Sequence, residues 1–248
     1  MDIMLVCAAA FVAGMLNALA GGGSFLTLPA LVWVGVPPVM ANATGTAALL
    51  PGYLASAWAL RDQMRSSAGV SVWLLVVLGL VGGVLGAGLL LLTSNEAFRG
   101  IVPWLLLFAT VLFASGPWIQ RRLSQHTQHR ANPSLAGAGV VGVSAYGGYF
   151  NGGMGIIILA LLRLLGVSNL LQANALKNLL SAVLTLIAVL IYLLGGLVEG
   201  YFVWFMAVAA TVGGLLGAKV GRILSPVLLR NLIIVIGALT TLAFFLKH

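Results

Sequence analysis

Val81-Gly82-Gly83-Val84-Leu85-Gly86-Ala87 returns in the second half of the chain as Val212-Gly213-Gly214-Leu215-Leu216-Gly217-Ala218, and this duplication decides the fold. The same offset carries Arg99 onto Arg230. Ala41-Asn42-Ala43-Thr44-Gly45-Thr46 matches Ala173-Asn174-Ala175-Leu176-Lys177-Asn178 at nearly the same offset, and Asn17, ahead of one glycine cluster, matches Asn151, ahead of another. Two repeats follow, about 1–120 and 134–248. They are joined by residues 120–133, the only long polar stretch, which reads as a loop on the cytoplasmic side.

The 248-residue chain is 61% hydrophobic and 6% charged, with a mean hydropathy of +1.14, far from the quarter-charged mixture of soluble domains. Apolar runs near the ~20 residues that cross a bilayer recur from end to end. They are continuous rather than alternating, so helices and not barrel strands satisfy the backbone in lipid. The expected fold is an all-α polytopic membrane protein, with 1–248 a single transmembrane domain in the lipid bilayer. A net charge of +8 does not point to nucleic acid, because the basic residues are scattered singly through short loops. Cys7 stands alone, which leaves no disulfide or cysteine metal site within one chain. Met1-Asp2-Ile3 has no basic n-region and the apolar run passes any small-residue cleavage point, so the first helix is expected to be retained.

Each repeat opens with a segment interrupted by glycine, at Gly21-Gly22-Gly23 and at Gly152-Gly153-Met154-Gly155, and continues with three spans. These are placed near 39–60, 70–92 and 97–118, then near 171–194, 200–223 and 227–246. The interrupted segments, 3–36 and 135–166, are too long for one straight crossing at a helical rise of about 1.5 Å per residue. They are long broken helices, giving eight transmembrane helices with four per half, or hairpins that turn at the glycines. The positive-inside rule separates the two. With hairpins, Arg61, Arg65, Arg121, Arg122, Arg130, Arg163, Lys219, Arg222 and Arg230 share one side against Arg99 and Lys247; with crossings the split is six against five. Hairpins are preferred. A returning hairpin plus three crossings makes the halves antiparallel, the inverted repeat of many secondary transporters.

The polar residues inside the apolar spans are the candidate site. Asn174, Lys177, Asn178, Ser181 and Thr185 fall three or four apart, on one helical face. A buried ammonium costs roughly 2.5–3.5 kcal/mol on insertion scales, so Lys177 is expected to face a cavity, a partner or the interface by snorkelling. Asn42, Thr44 and Thr46 are the first-repeat counterparts of Asn174, Leu176 and Asn178, and such residues either bind or hold helices together. Gly22 and Gly23, with Ser24 as N-cap of the resumed helix, expose backbone donors suited to an anion, as do Gly152 and Gly153; the alternative is close helix packing. Asn17 and Asn151 either satisfy freed carbonyls or donate to a ligand. Pro29 falls inside the resumed helix and has a structural role. Trp33, Trp73, Trp104, Trp118 and Trp204 sit near helix ends as interfacial anchors. Asp2, Asp62, Glu96 and Glu199 fall at helix ends or in loops, which leaves no acidic relay at the bilayer centre. His126, His129 and His248 lie in loop or tail, so no metal site, catalytic residue or cofactor is expected.

Gly14-Met15-Leu16-Asn17-Ala18-Leu19-Ala20-Gly21-Gly22-Gly23-Ser24, Pro29-Ala30-Leu31 and Ala43-Thr44-Gly45-Thr46 resemble the opening signature of the TauE/SafE sulfite-exporter family, also called the toluene-sulfonate uptake permeases. Tyr146-Gly147-Gly148-Tyr149-Phe150-Asn151-Gly152-Gly153-Met154-Gly155, with Asn174-Ala175-Leu176-Lys177-Asn178, resembles its second signature. The resemblance implies a transporter of the bacterial cytoplasmic membrane for sulfur-containing or small organic anions such as sulfite, sulfonates or sulfoacetate.

The function expected is secondary transport of a small anionic substrate by alternating access, with Lys177 supplying charge. An ammonium that can shed and regain its proton admits proton coupling, and a homodimer is a candidate assembly. The rival is a non-transporting membrane partner of a sulfur or redox enzyme. An enzyme is not expected, because no acid, base or nucleophile constellation is visible.

Overall fold

A computed structural model describes residues 1–19, 21–66, 71–124, 133–220 and 226–246. Most of the expected linker lies outside these residues, as do Arg130, Arg222, Lys247 and all three histidines. The described residues are helical: α1 (Asp2–Leu19), α2 (Ser24–Trp33), α3 (Pro38–Ala59), α4 (Val72–Leu92), α5 (Asn95–Ser124), α6 (Pro133–Tyr149), α7 (Met154–Leu164), α8 (Leu170–Leu194), α9 (Gly200–Val220) and α10 (Pro226–Leu246). Four of them, α4, α5, α8 and α9, are long and apolar enough to cross a membrane on length and composition. Asn169 and Ser71 cap α8 and α4 with side-chain oxygens that accept from Gln172 N and Leu74 N, each satisfying one orphan donor of a first turn.

Both interrupted segments are hairpins. A Cβ on Gly23 would lie 3.0 Å from the carbonyl oxygen of Ala13, so α2 returns along α1; one on Gly139 would lie 3.0 Å from Leu161, so α7 returns along α6. Gly21 (φ +78°) and Gly153 (φ +73°) sit at the two turns in left-handed backbone, which a Cβ would strain. One expectation fails here. Ser24 is not the N-cap of α2: Gly23 is, in right-handed helical backbone and without a side-chain bond. The chain is already winding at Gly22, whose carbonyl accepts from Phe25 N at 3.2 Å, so Ser24 falls inside the first turn. Pro29 lies within α2, as expected.

The helices pack in pairs that exchange when one repeat is substituted for the other. The α1–α9 contact corresponds to α6–α4, α3–α9 to α8–α4, α2–α3 to α7–α8 and α2–α10 to α7–α5; α3–α8 and α5–α10 correspond to themselves. Both self-corresponding pairs run antiparallel. Trp104 of α5 stacks edge-on with Phe245 of α10 at 5.2 Å, while farther along α5, Thr110 lies against Gly237, earlier in α10. Gln172 Nε2, at the start of α8, donates to Arg65 O just beyond α3 (2.7 Å), and Glu199 N, just beyond α8, donates to Thr44 Oγ1 near the start of α3 (2.9 Å).

Glycine permits the tightest pairs. A Cβ on Gly82 of α4 would lie 2.5 Å from Ser144 Cβ of α6, and one on Gly148 would lie 2.7 Å from Gly83 O. Small residues replace bulk where lipid offers no hydrophobic drive for association. Tracing the pairs places Arg61, Arg65, Arg122 and Arg163 at one end of the bundle and Arg99 at the other. The five tryptophans named as anchors are exposed on the outer surface.

Candidate functional site

A cavity of about 270 Å³ lies between α1, α3, α8 and α9, in the half of the molecule toward the arginine-bearing end. Its polar lining comes from Asn17, Tyr53, Ser56, Asn174, Asn178 and Thr211, set among Gly14, Leu49, Gly52, Leu60 and other apolar groups. Asn174 and Asn178 reach it together because a four-residue step keeps them on one face of α8. Gly52 contributes space, since nothing lies within 4 Å of where its Cβ would be.

At the inner end, the hydroxyl of Tyr53 lies 3.1 Å from Asn17 Oδ1 and 2.9 Å from Asn151 Oδ1. The two asparagines that precede the two breaks are thus joined through one phenol on α3. A phenol has a single proton to give, so one asparagine must accept it and the other must present its amide N–H₂ to the phenol oxygen. Asn151 is the candidate donor: it is buried, and in the orientation above its Nδ2 has no partner.

Ser181 Oγ and Thr185 Oγ1 are also buried without a partner. Several other helix hydroxyls return to a carbonyl four residues back, as Thr110 does to Leu106 O, Thr211 to Ala207 O and Thr241 to Gly237 O, whereas Ser144 of α6, like Ser181 and Thr185, has no partner. Ser181 and Thr185 continue the face of Asn174 and Asn178 into the interior. Orphaned donors of this kind cost free energy and call for an explanation.

The other expected site residues divide. Asn42 Nδ2 donates to Tyr149 O at 2.9 Å, and Thr44 accepts from Glu199 N, so both join helices. Thr46 and Ser24 are buried. Gly22 packs against Ile233 of α10, at 3.1 Å for a Cβ, and Gly23 against Leu49 and α1. Gly152 O accepts from Tyr146 Oη at 2.7 Å, and a Cβ on Gly153 would lie 3.1 Å from Ala109. None of these glycines is among the cavity-lining residues. Lys177 is buried at 7% exposure. It flanks the cavity-lining Asn174 and Asn178 in sequence without lining the cavity itself, and no ion pair to it is seen among the described residues.

Sequence reasoning missed Tyr53. The signal was present: Tyr53 occupies in the first repeat the position that Thr185 holds in the second, and it stands in the middle of an apolar span, where a hydroxyl must find a partner.

The family model for sulfite exporter TauE/SafE matches residues 6–244. A probable membrane transporter protein of Haemophilus influenzae is 29% identical over 234 residues, covering 93% of this chain and 89% of that protein. The probable membrane transporter protein YfcA of Escherichia coli K12 is 30% identical over 235 residues, covering 92% and 84%. The probable membrane transporter protein ORF9 of a Sinorhizobium species is 28% identical over 217 residues, covering 86% and 79%. No solved structure gives a significant match.

Proposed function

The chain belongs to the sulfite exporter TauE/SafE family, and from that premise we propose that this multi-pass membrane transporter carries a small sulfur-containing or organic anion by alternating access. The anion binds at the inner end of the α1–α3–α8–α9 cavity. The observation that carries this reading is the Asn17–Tyr53–Asn151 junction: residues from both repeats meet at a buried point reached from an open pocket. The cavity offers amide and hydroxyl donors and no lining carboxylate, which suits oxygen acceptors such as those of a sulfonate. Lys177, beside two lining residues, adds positive potential without direct contact. At low local dielectric such a field reaches several ångströms.

The two halves act as an inverted repeat, about 1–120 and 134–248, a reading supported by the exchange of helix pairs and the antiparallel run of α3–α8 and α5–α10. Motion of one repeat against the other then exposes the site alternately. The arginine-bearing end faces the cytoplasm of a bacterial inner membrane, by the positive-inside rule.

The test is uptake of labelled sulfite and of a small sulfonate into liposomes carrying the purified protein, with and without an imposed proton gradient. Saturable uptake that falls in Asn174→Leu and Asn178→Leu is expected, and a response to the gradient identifies proton coupling. Absence of saturable flux for either solute overturns the sulfur-anion reading. Co-purification of a stoichiometric enzyme partner instead favours an assembly role.

A further inference from the structure

We propose that the half of the bundle away from the arginine-bearing end holds a second pocket, now filled, that is the repeat-related twin of the open cavity, and that Asn42 and Tyr192 are the latch keeping it shut. The proposal rests on the alternating-access reading above.

The repeat carries Asn17 to Asn151, Tyr53 to Thr185, Ser56 to Ala188, Leu60 to Tyr192, Asn174 to Asn42 and Asn178 to Thr46. The first member of each pair lines an open cavity. Every second member is buried, at no more than 3% exposure. One sequence pattern thus appears once open and once closed.

The closed side is closed by identifiable bonds. Helix α6 ends at Tyr149 inside the bundle, where its last carbonyls have no helical partner and no bulk water. Tyr192 Oη donates to Gly148 O, and Asn42 Nδ2 donates to Tyr149 O at 2.9 Å. These bonds pin α8 and α3 onto the α6–α7 hairpin.

On the open side the corresponding carbonyls are those of Gly14 and Met15, which already have helical partners because α1 continues to Leu19. Asn174 is the residue positioned by the repeat to bond Met15 O when that side closes, but Leu60 stands where Tyr192 does and has no proton to give. Two bonds to otherwise unpaired carbonyls hold one gate; the other has one bond available, to a carbonyl already paired within α1. The resting protein therefore favours the state open toward the arginine-bearing end.

The twin also contains donors that the closed state leaves idle. Ser181 Oγ and Thr185 Oγ1 have no partner. Opening of the twin supplies their partners, as water or as the same class of anion that enters from the other side.

The test uses the full chain in membranes, in a Cys7→Ser background, with Ser56→Cys or Ala188→Cys as reporter and a membrane-impermeant maleimide added to one face at a time. In the parent, the reporter at 56 reacts from the arginine-bearing face and that at 188 reacts slowly. Tyr192→Phe and Asn42→Leu are each expected to speed labelling at 188 from the opposite face by roughly three- to thirty-fold, the population shift one interhelical hydrogen bond provides, and to slow it at 56.

Unchanged rates in both variants, or rates that rise together at both reporters, overturn the latch. The readout needs no substrate. Reciprocal labelling without flux of any tested anion tells against the transport reading and leaves the latch standing; saturable flux with unchanged labelling removes the latch alone.

Discussion

Replacing Tyr53 with phenylalanine removes one oxygen and should affect stability and transport together. The hydroxyl serves two asparagines, at 3.1 and 2.9 Å, but they do not lose equally. Asn17 lines the open cavity, so water can replace the phenol there. Asn151 is buried at 3% exposure and is the candidate donor to the phenol oxygen, so loss of that oxygen leaves its amide orphaned with no water to replace it. Interhelical hydrogen bonds in membranes contribute about 0.6 kcal/mol on average and up to about 1.7, and a newly orphaned buried group costs about 1–3.

The expected net loss is therefore about 1–2 kcal/mol, carried by Asn151. For a chain of this size that corresponds to about 2–8 °C in midpoint. Where the same junction binds the transported anion, it also corresponds to a fall of roughly five- to thirty-fold in uptake efficiency. Thermal unfolding in detergent and liposome uptake measure the two effects, with exposed Tyr201→Phe as control. In an Asn151→Leu background the effect of Tyr53→Phe should largely vanish, because the partner is already gone. Full additivity of the two substitutions would refute the junction.

Lys177→Met should move stability and transport in opposite directions. A midpoint equal to or above the parent's is expected, since an ammonium at depth costs roughly 2.5–3.5 kcal/mol; uptake should fall roughly fifteen-fold, as for charges about 10 Å apart at an effective dielectric of about 20. Unaltered uptake in the folded variant would remove Lys177 from the mechanism. Gly82→Ala and Gly148→Ala should each lower stability by about 1–3 kcal/mol through overpacking at the α4–α6 contact, while Gly88→Ala, with open space around its Cβ position, should be neutral or stabilising. Equal midpoints across the three would contradict the close approach of α4 and α6.

Much of the architecture follows from local properties of the chain. Unbroken apolar runs require helices in lipid, because only a helix satisfies its own backbone there, and the six expected spans coincide with α3–α5 and α8–α10 to within a few residues, apart from the longer end of α5. The glycine clusters and the distribution of arginine point to hairpins for the same reason: φ > 0 and charge sidedness are properties of single residues. The site was legible only in part. A helical face can be read from spacing, so Asn174 and Asn178 are found together on the cavity. Which neighbouring helix covers a face cannot be read that way.

Tertiary packing alone separates Asn174, at the open cavity, from its counterpart Asn42, bonded to the end of α6. It alone turns Tyr53 toward Asn17 and Asn151 rather than toward lipid. The repeat is written in the sequence, but a sequence pattern has no open or closed state. That difference arises from where the helices come to rest against one another, through contacts between residues far apart in the chain.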